Sequence, residues 1–201
     1  MITGPRYKIA RRLGPSIFEK TQSQKFALRN QKKDFAPKGR AKSDFGMQLI
    51  EKQKARFTYG IGERQFKNYV KNAGSQKATN INEALVQSLE KRLDNVVYRL
   101  GFAKTRQASR QMVNHGHIDV NGKRHSIPSF QVKIGDVITI RESSKAKPIF
   151  KDLNEKLKEA RVPSWLALDV IKKEAKVQGA PKINPAEFSF DISAIFQYYS
   201  R

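Results

Sequence analysis

Apolar and polar residues alternate along this chain in two rhythms, one helical and one extended. From 43 to 100 the rhythm is helical. Phe45, Leu49 and Ile50 predict one buried stripe, and Phe66, Tyr69 and Val70 a second. Ser43 is placed as the N-cap of the first helix, with Asp44 favourable at its positive end. Tyr59-Gly60-Ile61-Gly62 separates the two helices, and Glu63 opens the second. The stretch 71–79 reads as a loop. Asn80 with Glu83 three residues later resembles a capping box. Leu85, Leu89, Leu93, Val96, Val97 and Leu100 then predict one long helix.

The densest punctuation lies between Arg92 and Gly122. Gly101 suits the left-handed position that closes a helix, because it has no Cβ to clash. Thr105 can cap the next helix, which runs to His115 and stops at Gly116. Ile118 and Val120 alternate like a strand, and Asn121-Gly122 is a strong hairpin signal. Lys123-Arg124-His125 follows, Gly135-Asp136 marks a turn, and Val137 to Ile140 is a β-branched strand. Two short helices with a small twisted sheet make an α+β module.

Beyond it, 143–148 reads as a linker. Leu153, Leu157 and Ala160 suggest a helix that ends before Pro163, and Trp165, Leu166 and Leu168 are apolar anchors. Residues 178–187 read as loop, then Phe188, Phe190 and Ile192 alternate. Ile195, Phe196, Tyr198 and Tyr199 make the terminus apolar enough to be docked. Residues 1–42, broken by Pro5, Gly14, Pro15, Pro37 and Gly39, show no steady period. They read as an arm that lies on a partner, with short turns.

Charge changes the picture. The 201 residues carry a formal net charge of +22, from 40 Lys+Arg against 18 Asp+Glu. Self-repulsion on that scale is most simply offset by a polyanion. Residues 1–72 hold 18 basic and 5 acidic side chains, so the polyanion-facing surface is weighted to the front. Arg6, Lys8, Arg11 and Arg12 form a first cluster, and Lys52, Lys54 and Arg56 follow later. Arg64, Lys67 and Lys71 fall at offsets of three and seven, a basic ridge whose one acidic neighbour at i±4 is Glu63, before Lys67. Gln107, Arg110, Gln111 and Asn114 share one helix face, with Arg106 beside them. Tyr7 and Tyr59 are the aromatic candidates for stacking on bases. A membrane would also attract this charge, but no helix pairs a basic face with a broad apolar one.

Absent chemistry narrows the class further. There is no cysteine, hence no disulfide and no thiolate metal site. His115, His117 and His125 lack the helical spacing of a zinc site. No phosphate-binding glycine loop and no nucleophile elbow occurs. Asp94 has Arg92 and Arg99 nearby, which favours an ion pair over a general acid. Neither an enzyme nor a bound cofactor is expected. An RNA-modifying enzyme carrying this module as a handle would need a catalytic domain, and the roughly 60 residues after the module supply no site motif.

The stretch KRLDNVVYRLGFAKTRQASRQMVNHGHIDVNGK resembles an RNA-binding module shared by ribosomal protein S-four, some pseudouridine synthases and heat-shock RNA binders. SDFGMQLIEKQKARFTYGIGERQFKNYV at 43–70, the opening GPRYKIARRLG, PSWLALD at 163–169 and the closing YYSR narrow this to the bacterial-type S-four family of small-subunit ribosomal proteins. The resemblance implies an α+β fold: a mostly helical first domain with the module inserted. It implies an arm at 1–42, a helical domain at 43–90 completed by 173–201, and the inserted module with its following segment at 91–172.

The resemblance further implies a structural role: primary binding of small-subunit rRNA at a five-way junction, early in assembly. Ribosomal protein five, translational accuracy and the path by which mRNA enters are implied too, with some members binding their own operon mRNA. By position, Lys38, Arg40 and Lys42 would line that path, while Arg92, Tyr98, Arg99, Arg106, Arg110, Gln111 and His115 would face rRNA. The expected location is a cytoplasmic ribosome, with an organellar one as the alternative. The chain departs from the family at APKGR, 36–40, and at Pro181-Lys182-Ile183-Asn184-Pro185, and it lacks the cysteine knuckle of many members.

Overall fold

The structure is a computed structural model. It describes residues 4–31, 43–75, 80–182 (apart from 152, 154, 156, 158 and 159) and 188–200. The chain forms two units, Met1–Asn82 with Asn184–Arg201, and Glu83–Ile183.

In the first unit the described residues 4–31 hold two helices rather than a plain arm. α1 spans Arg6–Leu13 and α2 Gln24–Gln31, with two short 3-10 turns at Pro15–Ile17 and Glu19–Thr21. Ala10, Leu13, Ile17, Phe18 and Phe26 bury together against Ile9, Ile50 and Phe57. The sequence hid this because Pro5, Gly14 and Pro15 and the scattered basic residues leave no steady apolar period. The remainder of the expected arm, 32–42, lies outside the described residues.

α3 (Asp44–Tyr59) starts at Ser43, whose Oγ accepts from the Gly46 N–H at 3.3 Å. It ends at Gly60, which takes the left-handed φ of 64°. α4 (Glu63–Ser75) buries Phe66 and Val70, while Tyr69 is half-buried. It continues through 71–75, where a loop was expected. Phe45 is not a core residue: it is 46% exposed and stacks on Tyr198, ring centroids 5.3 Å apart.

The C-terminal apolar run forms the last helix, α9 (Ile192–Tyr199), and it does dock. The Asp191 carboxylate caps it by accepting from the Ser193 N–H, which turns the apparent alternation of Phe188, Phe190 and Ile192 into a helix entrance. α9 lies on α3, with Ile195 fully buried and the Gln48 amide donating to Gln197.

The second unit begins inside the predicted long helix, which is in fact two. α5 spans Ile81–Glu90 and α6 Leu93–Arg99. Arg92 between them is extended and bridges Gln131. The break is stabilised from outside: the N–H groups of Leu93 and Asp94 donate to the carbonyls of Phe130 and Pro128, and Val132 N–H donates to Lys91. Asn80 accepts from the Asn82 N–H at the start of α5. Gly101 closes α6 at φ 80°, and α7 (Arg106–Asn114) starts with the Thr105 hydroxyl accepting from Ala108 N–H.

β1 (Ile118–Val120) and β2 (Lys123–His125) form the hairpin over Asn121 and Gly122, both at positive φ as that turn requires. β3 (Val137–Ile140) pairs with β1. Two more strands had no clear signal: β4 (Leu166–Asp169) and β5 (Glu174–Val177). The sheet is antiparallel throughout, in the order β2-β1-β3-β5-β4.

The second unit runs from Glu83 to Ile183, and β5 belongs to it through its pairing with both β3 and β4. The core of this unit joins Leu93, Val96, Val97 and Leu100 to Met112, Val113, Ile118, Ile138 and Ile140, with Leu153, Leu157 and Trp165 closing it. α8 (Glu142–Lys145) is a single turn after β3.

Candidate nucleic-acid interface

Basic side chains in the first unit stand mainly in solvent. Arg6, Lys8, Arg11 and Arg12 of α1 are exposed. Tyr7 beside them is 44% exposed, with the Lys20 ammonium 5.8 Å from its ring. Arg64, Lys67 and Lys71 on α4 are exposed as a ridge, because Phe66, Val70 and Ala73 turn the opposite face inward. Among the described residues no carboxylate pairs with these three.

On α3 the outcome is different. Lys52 is 4% exposed, 2.7 Å from Glu63 and 4.5 Å from the Tyr198 ring centroid. Tyr59 is 2% exposed and meets Phe190 edge-on. Both were candidate contacts, and burial removes them: neither side chain presents surface to a polyanion. Lys54 pairs with Glu51 at 2.6 Å, and Arg56 reaches Gln53 at 2.9 Å and Glu63 at 3.6 Å. Glu63 is thus the internal counter-charge of α3. Burial pushes its carboxyl up, but hydrogen bonds from Lys52 and Tyr199 and the charges of Lys52 and Arg56 hold it below its ordinary value. Burial and the bond to Glu63 push the Tyr199 phenol well up. Lys38, Arg40 and Lys42 lie outside the described residues.

In the second unit the predicted arginines converge. Arg92 is 3% exposed and grips Asp94 with two nitrogens, at 3.0 and 2.9 Å. It is a buried brace rather than a contact, which corrects its assignment to the RNA-facing set. Arg110, from the next helix, reaches the same carboxylate at 2.7 Å. Arg99 makes a fork on Glu90 at 2.9 and 3.0 Å. Arg106 donates to Asn95 Oδ1 at 2.9 Å and lies 4.3 Å from the centroid of the half-buried Tyr98 ring. Arg99, Arg106 and Arg110 are each partly exposed. Gln111, Asn114 and His115 are exposed at the far end of α7.

That end of α7 is cationic. Gly116 has φ 67°, and a Cβ there would run into the Arg124 guanidinium, which lies against it. His117 is buried and shares a 3.0 Å hydrogen bond with Ser144 Oγ. Burial holds its pKa below 6.5, reinforced by Lys147, His115, Arg124 and Arg141. The sequence reading missed Arg124, Arg141 and Lys147; only the hairpin and the turn after β3 bring them beside α7. Among the described residues no group of three or more His, Asp or Glu side chains is placed to hold a metal ion. None of the described helices is long and apolar enough to cross a membrane.

Comparison with known proteins finds two adjoining family models. Residues 1–90 match the family described as the ribosomal protein S4/S9 N-terminal domain, and residues 91–138 match the S4 domain. A small ribosomal subunit protein uS4 of Chloroflexus aurantiacus is 43% identical over 206 residues, covering 98% of each chain. The uS4 of a Sulfurihydrogenibium species is 45% identical, over 98% of this chain and 97% of its own. That of Levilactobacillus brevis is 42% identical, over 99% and 98%. A likeness of this extent, spanning both units and both domain models, places the chain in the uS4 family of small ribosomal subunit proteins.

Proposed function

We infer that this protein is a structural, non-catalytic component of the small ribosomal subunit that binds its rRNA. The observation that carries this is the full-length likeness to uS4 proteins in a chain with a net charge of +22. Physically, Lys and Arg displace counterions from folded RNA, so affinity falls steeply with salt. Arginine forks suit paired phosphates where helices converge, and lysines act as point charges. Selectivity comes from the shape of the junction, since the deep groove of A-form RNA is too narrow for side chains to read.

In finer detail, the protein docks on a five-way junction of the 5′ domain early in assembly. The rRNA contacts run through α1, the α4 ridge and the α6–α7 face. The finer reading also includes contact with ribosomal protein five, an influence on translational accuracy, and residues 38–42 along the mRNA path. Supporting it are the exposed cations described above and the family membership. The test is co-sedimentation of the full-length protein with small subunits in a sucrose gradient, together with binding to a 5′-domain rRNA transcript. Migration apart from small subunits and indifference to the transcript at moderate salt would remove the reading.

A further inference from the structure

A polar layer lies behind the arginines of α6 and α7. Among the described residues, nine polar or charged side chains are buried, and four of them are Glu90, Arg92, Asp94 and Asn95. Such a concentration is costly in a small core unless every group is paired. Here every one is. Glu90 takes two nitrogens of Arg99, Asn95 takes Arg106, and Asp94 takes Arg110. Asn95 Nδ2 donates to Glu90 at 2.8 Å, and Arg92 grips Asp94 from behind, so the three arms are tied at their base.

The arrangement also runs against simple charge logic. Two carboxylates sit directly beneath a surface read here as binding a polyanion, and each of them repels RNA. We propose that Asp94 and Asn95, with Glu90, are positioning residues for RNA: they fix the Arg110, Arg106 and Arg99 guanidiniums before binding, leaving the remaining N–H groups for the phosphates. The proposal rests on the rRNA-binding reading above and adds which side chains aim its arginines. A free arginine loses rotamer freedom when it grips a phosphate, whereas a fork already held on a buried acceptor loses little. Arg110 and Arg99 keep about a quarter and a fifth of their side chains in solvent, with 25% and 21% exposure, so they remain reachable while held.

The sign of one measurement separates this from electrostatics. Asp94→Asn removes a negative charge from an RNA binder, so charge alone predicts tighter binding and a steeper salt dependence. Positioning predicts the reverse, a loss of about tenfold, by analogy with the loss when a group that orients a metal ligand is removed. Binding of the full-length protein to a 5′-domain rRNA transcript is measured across a KCl series, for Asp94→Asn, Arg110→Ala and the double variant. The expected result is a loss in the single variant and no further loss when Arg110 is already absent.

Equal losses in both backgrounds would mean that Asp94 acts through the fold, and tighter binding would mean that it only repels; either overturns the proposal. Should Asp94→Asn fail to fold, Asn95→Ala against Arg106→Ala gives the same cycle without a change in charge, and additivity there overturns it equally. A parent protein that ignores the transcript would instead remove the rRNA reading itself.

Discussion

Two helical faces, one in each unit, carry positive charge in opposite ways. On α4, Arg64, Lys67 and Lys71 stand in water with no acidic partner among the described residues, held in line only by the helix. On α6 and α7, the guanidiniums of Arg99, Arg106 and Arg110 are each tied to a buried acceptor. The first arrangement maximises released counterions and tolerates many RNA geometries. The second gives up net charge to fix directions in space, which is what recognition by shape requires. Charge count alone therefore misjudges both, overvaluing the tied arginines as charges and undervaluing them as geometry.

The sharpest break of that contrast is at its base. Replacing Arg92 with Met leaves Asp94 short of one buried partner, and a loss of about 3 kcal/mol in urea unfolding is expected. A loss within surface-substitution range, about 0.5 kcal/mol, would mean that the polar layer is not the brace described here.

Next in size is the α4 ridge. Arg64→Ala, Lys67→Ala and Lys71→Ala together should flatten the salt slope of rRNA binding by roughly two to three, with stability unchanged. Arg106→Ala with Arg110→Ala removes two charges and flattens it by roughly two at most. At equal slope change it should cost more affinity than the ridge. Proportional losses in the two units would erase the distinction.

Lys52 tests the correction made within α3. Lys52→Met should cost about 2 kcal/mol of stability, through Glu63 and the Tyr198 ring, and leave rRNA affinity of the folded protein unaltered. An affinity loss without a stability loss would return Lys52 to the interface.

The smallest effect is on pH. His117 is held below its ordinary value of 6.5, so the unfolded chain binds the extra proton first. The stability associated with neutral His117 is complete above pH 6.5 and declines as pH falls through the folded value. His117→Gln should therefore reduce the loss of stability between pH 7 and 5, seen in thermal melts. Glu63 has the same sign at lower pH: its contribution is present above 4.5 and lost on further acidification. Identical melts for variant and parent across that range would show that His117 does not couple to folding.

Much of this was written in local residue choices. Ser43, Thr105, Gly101 and Asn121-Gly122 each act through their own backbone within a few residues, so caps, breaks and the hairpin could be read directly. The α+β character, the docked terminus and the exposed α4 ridge follow from apolar spacing, which is also local. What the sequence could not settle depends on partners far along the chain. Residues 81–99 read as one helix until 128–132 supplies hydrogen bonds at the break. β4 and β5 are short and half-polar, and exist because β3 offers an edge. Lys52 and Lys67 are the same residue type on neighbouring helices; only the arrival of Glu63, Tyr198 and Tyr199 buries one of them. Composition and periodicity determined a basic α+β protein suited to a polyanion, and the family resemblance of its motifs pointed to rRNA. Which cations face solvent and which are spent inside was decided by tertiary contacts, because burial is a property of neighbours and not of the residue itself.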